Sequence, residues 1–163
     1  MRILSLDLAL ANIGWTVWEG NGMSSFGTFE NPKVTDNTMP DLAFRAKRAF
    51  EFIDAILDRN YVDIIVIERP HGSQNTKAAA CMGVCAAICA YINILGYTIK
   101  YIEPMEMKKW LKSFPIFPPV KDPKLLARKV VKRLGYIAPE YSEHEIDSIC
   151  IYYCYLSKNE TNT

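Results

Sequence analysis

The apolar positions of this chain repeat first with the period of strands and later with that of helices. Arg2–Leu8 is a compact apolar run rich in strand formers, Ile13–Glu19 alternates with Trp15 and Val17 on one side, and Met23–Phe29 is a third short run. Asn21 and Gly22 separate the last two runs, and both tolerate positive φ, so a tight hairpin is expected there. Asn31–Asn37 reads as loop. Thr38 with Asp41 three residues on offers a helix start, and Leu42, Ala43, Ala46, Ala49, Phe50, Ile53, Ile56 and Leu57 follow at helical spacing to about Asn60. Val62–Ile67 is almost continuously apolar, the pattern of a central strand buried on both faces.

A long Ala- and Cys-rich helix is expected over Asn75–Leu95, closed by Gly96, and Tyr97–Ile102 reads as another strand. Pro104 suits the first turn of a short helix reaching about Lys112. Ser113–Val120 contains three prolines and reads as loop. Asp122 and Pro123 stand as N-cap and first residue of a basic helix running to Leu134. Ser142 and Glu145 have capping-box spacing ahead of a last helix to about Leu156. The order β-β-β-α-β-α-β-α-α-α predicts an α/β fold: a mixed five-stranded sheet with helices on both faces. Residues 1–157 are expected to form a single domain, with 158–163 a polar tail.

Composition narrows the function classes. The chain has 163 residues, 50% hydrophobic and 23% charged, which suits one globular domain. Its net charge is only +1, yet residues 100–135 hold ten Lys or Arg against three acids, a local +7. Such a segment is either a phosphate-binding surface or a solvated helix face. The five cysteines, Cys81, Cys85, Cys89, Cys150 and Cys154, sit in apolar runs without zinc-site spacing, so packing is their expected role. The opening MRILSLDLALANIGW has Asp7 inside its short apolar run and no cleavage site, so no secretory leader is expected and the location is read as cytoplasmic. Ala78–Leu95 has too many small residues, with Gly83 and Asn93, to read as a membrane span.

Three acids stand where a globular fold alone has little use for them. Asp7 ends the first strand, Glu68 ends the buried run, and Asp147 lies inside an apolar helix. Acids so placed are rarely buried unless paired or bound to metal. Oxygen donors of this kind suit Mg²⁺, and two such ions about 4 Å apart can activate water and stabilise a leaving oxygen. His144 precedes Asp147 by three residues, on the same helix face, and could ligate metal or move a proton.

These residues carry a resemblance. LSLDLALANIGW at 4–15, DIIVIERP at 63–70 and EHEIDSICI at 143–151 resemble the RuvC family of junction-resolving nucleases, of the ribonuclease H-like superfamily. The resemblance spans nearly the whole chain. It implies a ribonuclease H-like fold, with Asp7, Glu68, His144 and Asp147 as catalytic residues holding two Mg²⁺ ions, Mn²⁺ being an alternative. Glu143 and Glu145 lack the family's spacing and rank below His144. It implies symmetric nicking of a four-way DNA junction by a homodimer, leaving 5′-phosphate and 3′-hydroxyl ends. The helix over Asn75–Leu95 would form the dimer interface, with Cys81, Cys85 and Cys89 on that face. DNA contacts would come from Lys108, Lys109, Lys112, Lys121, Lys124, Arg69 and His71.

The chain departs from the family pattern at three places, one of them Lys112–Lys121, which replaces a glycine-rich basic stretch of the family. Ala9 stands where the family has a glycine two residues after the first aspartate, though Asn12 and Gly14 are kept. Arg69, Pro70, His71 and Gly72 occupy the stretch where relatives carry a junction-wedging aromatic. These departures suggest a divergent branch of the kind a phage or other virus carries, and for such a source the expected location is the host cytoplasm. Two other functions stay open: a ribonuclease H-like nuclease acting on flaps, forks or RNA/DNA hybrids, and a non-catalytic protein binding branched DNA.

Overall fold

A computed structural model describes residues 1–35, 38–70, 76–137 and 141–160. Strands β1 (Arg2–Leu8), β2 (Asn12–Glu19) and β3 (Gly22–Glu30) form an antiparallel meander. The turn between β2 and β3 lies one residue earlier than the Asn-Gly signal predicted. Glu19 pairs with Gly22, leaving Gly20 and Asn21 as the loop, and Gly20 takes the left-handed φ of +59°. Glycine adopts that region without the penalty a Cβ would bring.

Strands β4 (Ile64–Glu68) and β5 (Thr98–Ile102) extend the sheet to the order β3-β2-β1-β4-β5. β1, β4 and β5 run parallel to one another. Their connections are α1 (Thr38–Asn60) and α2 (Thr76–Ile94). After β5 come α3 (Pro104–Ser113), α4 (Pro123–Arg133) and α5 (Glu143–Glu160).

Strand periodicity divides the interior in two. Leu4, Leu6, Val17, Ile65 and Ile67 face α1 and α2. Ile3, Trp18, Val66 and Ile102 face α3, α4 and α5. Alternation along β1 therefore sends Ile3, Ser5 and Asp7 toward α5. Under α5, Trp18 stacks on Tyr152 with ring centroids 3.8 Å apart, and its indole N–H donates to Thr16 Oγ1 at 2.8 Å. The fold is the α/β ribonuclease H-like arrangement the sequence predicts, a mixed five-stranded sheet with helices on both faces.

Three local expectations change. Thr38 is the first residue of α1, and Asp41 is spent elsewhere: its carboxylate accepts the Val34 N–H at 2.8 Å and pairs with Arg45 at 3.4 Å. The last helix does not stop at Leu156 but continues to Glu160. Ser157 Oγ donates to Cys154 O, Asn159 donates to Tyr155 O, and Lys158 pairs with Glu106 of α3 at 2.8 Å. Helix α2 turns its cysteines inward, as described below. No helix among the described residues is long and apolar enough to cross a membrane.

Candidate active site

Two adjacent parallel strands deliver two carboxylates to one sheet edge. Leu6 is in register with Ile67, and the next residues along are Asp7 and Glu68. Strand carboxyl ends at such an edge are where open α/β sheets place their sites. Asp7 and Glu68 line a common cleft of about 260 Å³ with Arg69, Pro70, Cys81 and Cys85.

Helix α5 brings the other two residues over the sheet. Its start is set by the capping box read in the sequence: the Glu145 N–H donates to Ser142 Oγ at 3.1 Å, and the Ser142 N–H donates to Glu145 Oε2 at 2.8 Å. Thr28 of β3 ties this turn to the sheet, its hydroxyl donating to Glu145 Oε1 at 3.2 Å and lying 2.5 Å from that of Ser142. Glu145 is thereby a structural residue, in keeping with its rank below His144. The helix can approach this closely because Gly14 lies beneath it. A Cβ on Gly14 would stand 2.0 Å from the His144 carbonyl oxygen. The outcome is a His144 Nδ1 to Asp7 Oδ2 contact of 2.7 Å.

The electrostatics of the cluster follow from burial and like charge. Burial, then the charges of Asp7 and Glu68, push the Asp147 carboxyl up to about 7, while His144 and Lys124 oppose the shift. The hydrogen bond to Asp7 holds the His144 imidazole above the usual histidine range, against the opposing effect of burial. A buried carboxyl raised by acidic neighbours marks a place where a cation would relieve the crowding of negative charge. The oxygen-rich donor set with one imidazole fits Mg²⁺ or Mn²⁺ chemically. Among the described residues, no group of three or more His, Cys, Asp or Glu side chains stands close enough together to hold a metal ion.

The other predicted site residues fall into three groups. Lys108, Lys109, Lys112 and Lys121 are exposed, and among the described residues none makes an ion pair. Lys124 and Arg69 do. Lys124 pairs with Glu143, which raises the lysine's pKa and lowers the acid's, and it lines a crevice with Arg128 and Asp147. Arg69 bonds Glu103 at 3.0 Å and lies over the Tyr101 ring. His71 lies outside the described residues.

Two of the three α2 cysteines assigned by the resemblance to a dimer interface have the packing role that their apolar setting predicts. Cys85 and Cys89 are buried within this chain, Cys85 Sγ lying 3.5 Å from Leu8 O. Burial pushes the Cys85 thiol up to about 12, so it is protonated and inert at neutral pH. Cys81 is half-buried and lines the cleft beside Asp7. None of the three dominates an outer face of α2. Its solvent side is instead Ala79, Gly83, Ala86, Ala87 and Ala90.

Two features of the site were missed by sequence reasoning. Gly14 was noted only as a retained motif position, although a glycine in mid-strand is itself a sign of close backbone approach. The Lys124–Glu143 pair joins two helices, and no local pattern announces it.

No protein-family model matches the chain. Across 95% of its length it is 26% identical to a curated relative, the crossover junction endodeoxyribonuclease RuvC of Borrelia turicatae, of which it covers 95%. Among solved structures it resembles RuvC of Thermus thermophilus in complex with Holliday junction substrate, with TM-score 0.72 and 15% identity, covering 99% of this chain and 96% of that one. It also resembles the yeast mitochondrial Holliday junction resolvase, with TM-score 0.64 and 10% identity, covering 94% of this chain and 78% of that one. Over nearly its full length the chain is thus similar in sequence to a RuvC endonuclease, and it shares the fold of the solved RuvC structures.

Proposed function

We propose that the protein is a cytoplasmic, divalent-metal-dependent endonuclease that cuts four-way DNA junctions as a twofold dimer. The observation that supports the reading is the His144 contact with Asp7 beside the strand end that carries Glu68, with Asp147 raised to about 7 by burial and by these acidic neighbours. The named relatives act on, or were solved with, such junctions.

In this reading Asp7, Glu68, His144 and Asp147 would hold two Mg²⁺ ions, or Mn²⁺. Bound there, the ions would supply an activated water and stabilise the leaving 3′ oxygen. The chain's own residues set the frame. Asp7 and Glu68 present oxygens from strand ends that hydrogen bonding to neighbouring strands holds still. Asp7 fixes the His144 ring through Nδ1, which leaves Nε2 to ligate or to carry a proton. Burial and the charges of Asp7 and Glu68 favour the protonated Asp147 carboxyl, and positive charge gathered at the edge would favour its carboxylate. The lysines at 108, 109, 112 and 121, with Lys124 and Arg69, contact phosphates and so position DNA without reading its bases.

The dimer in this reading uses the solvent face of α2. Ala79, Gly83, Ala86, Ala87 and Ala90 leave the backbone open to close approach by a second copy. Two sites related by a twofold axis could then nick opposite strands. Labelled four-way junctions, linear duplex and flaps, incubated with Mg²⁺ or chelator, test the proposal. Paired nicks in the junction alone, with 5′-phosphate and 3′-hydroxyl ends and only with Mg²⁺, are expected. Preferred cutting of flaps or hybrids, or binding without cutting, would overturn it.

A further inference from the structure

The loop joining α3 to α4 exposes one aromatic residue beside several anchored ones. Phe114 and Ile116 pack against the core beneath these helices, and Phe114 meets Trp110 edge-on at 5.0 Å between centroids. The Pro115 carbonyl accepts a hydrogen bond from Arg133 Nη1 at 2.9 Å, and the Ile116 N–H donates to Phe114 O at 2.8 Å. Prolines at 115, 118 and 119 narrow the backbone choices further. Phe117, next on this tethered loop, is 92% exposed. A lone exposed apolar side chain is ordinary, but its surroundings are not. An apolar groove of about 450 Å³ runs between α3 and α4, floored by Met107, Leu111 and Leu126 and edged by Lys108, Lys112 and Lys121.

Exposed cations around an apolar groove, with a bare ring on the adjoining loop, match what single-stranded nucleic acid requires. Phosphates take the cations, and unpaired bases take apolar surface and an aromatic face. We propose that this α3–α4 face binds an unpaired stretch of DNA, with phosphates on Lys108, Lys112 and Lys121 and a base stacked on Phe117. The proposal rests on the nuclease reading only in taking DNA as the partner. An acidic protein would use the same lysines but would draw little from one projecting ring.

Equilibrium binding of a labelled oligothymidine and of a linear duplex, with chelator present to prevent cutting, tests it. Wild-type, Phe117→Ala, Phe117→Trp and Lys108→Ala chains would be compared, each checked by thermal melting. Phe117→Ala should weaken single-strand binding by about 5- to 150-fold, the range of one lost base stack. It should change duplex binding by less than about twofold, and Phe117→Trp should restore the loss. The slope of log K against log salt should hold in Phe117→Ala and fall by about 0.7 in Lys108→Ala. Absent single-strand binding, indifference to Phe117→Ala, or equal losses on both DNAs would overturn the proposal. A chain that binds single strands through Phe117 but never cuts junctions would sink the nuclease reading alone. Normal cutting with binding indifferent to Phe117 would sink this one alone.

Discussion

Gly14 faces the His144 carbonyl across the gap between β2 and α5, where an added Cβ would lie 2.0 Å from the oxygen and 2.7 Å from the His144 Cβ. The opposing atoms are mostly backbone, so the helix itself would have to move. Gly14→Ala should therefore lift the first turn of α5 and separate His144 from Asp7. Overpacking of this kind typically costs about 1–3 kcal/mol. Junction nicking should fall at least about tenfold, as expected when catalytic groups are displaced by about an ångström. Melting and nicking measured on one preparation check both effects, and unaltered nicking would mean that the close approach is not needed.

Ser142 and Glu145 should matter for stability rather than for metal. They satisfy each other's backbone donors and reach Thr28 on β3. Ser142→Ala should cost about 1 kcal/mol, the usual worth of such a cap. Urea unfolding gives the stability change. The Mg²⁺ concentration for half-maximal nicking should stay within about twofold of wild type.

Asp41 makes the fold acid-sensitive. The Val34 N–H, with help from Arg45, holds its carboxyl below the usual carboxylate range, against the opposing effect of burial. A depressed folded-state pKa gives stability that is present above the unfolded value and lost as pH falls through the folded one. Wild type should therefore exceed Asp41→Asn in stability at pH 5 and above. The difference should shrink as pH falls from about 4, and melting curves across that range would reveal it. A constant gap down to pH 2 would contradict the assignment.

The outer face of α2 tests the dimer. Nothing lies within 4 Å of a Cβ built on Gly83, so a larger side chain there harms no contact within the chain among the described residues. Light scattering at micromolar concentration should give about twice the 18.6 kDa chain mass for wild type. Gly83→Arg should give the single-chain mass with little change in melting. Cys85→Ser should do the reverse, weakening the fold and keeping the dimer.

Much of the site was legible because its parts are local. Strand periodicity alone sends Asp7 to the α5 face and puts Glu68 at the end of a buried run. The Ser142–Glu145 spacing announces the start of α5, and Asp122 with Pro123 the start of α4, where the Asp122 side chain accepts the Lys124 N–H at 2.8 Å. The inward face of α2 was not legible. Alanine, glycine and cysteine are all small and apolar, so the helix has no polar side to mark which face meets water. The continuation of α5 to Glu160 was hidden for a different reason. Lys158 looks like a solvated tail residue until Glu106, distant in sequence, is brought beside it by α3. Asp41 likewise had two acceptable partners, its own helix start or the preceding loop, and only the folded chain selects Val34.

The central claim is that Asp7 and Glu68 serve the metal while the lysines serve the phosphates. Nicking and mobility shift of a four-way junction by wild type, Asp7→Asn and Glu68→Gln, on the same preparations, test it most directly. Both variants should bind the junction within about threefold of wild type and lose nicking by at least about a thousandfold, a loss comparable to removing a principal transition-state contact. Near-normal nicking by either variant in Mg²⁺ would contradict the account.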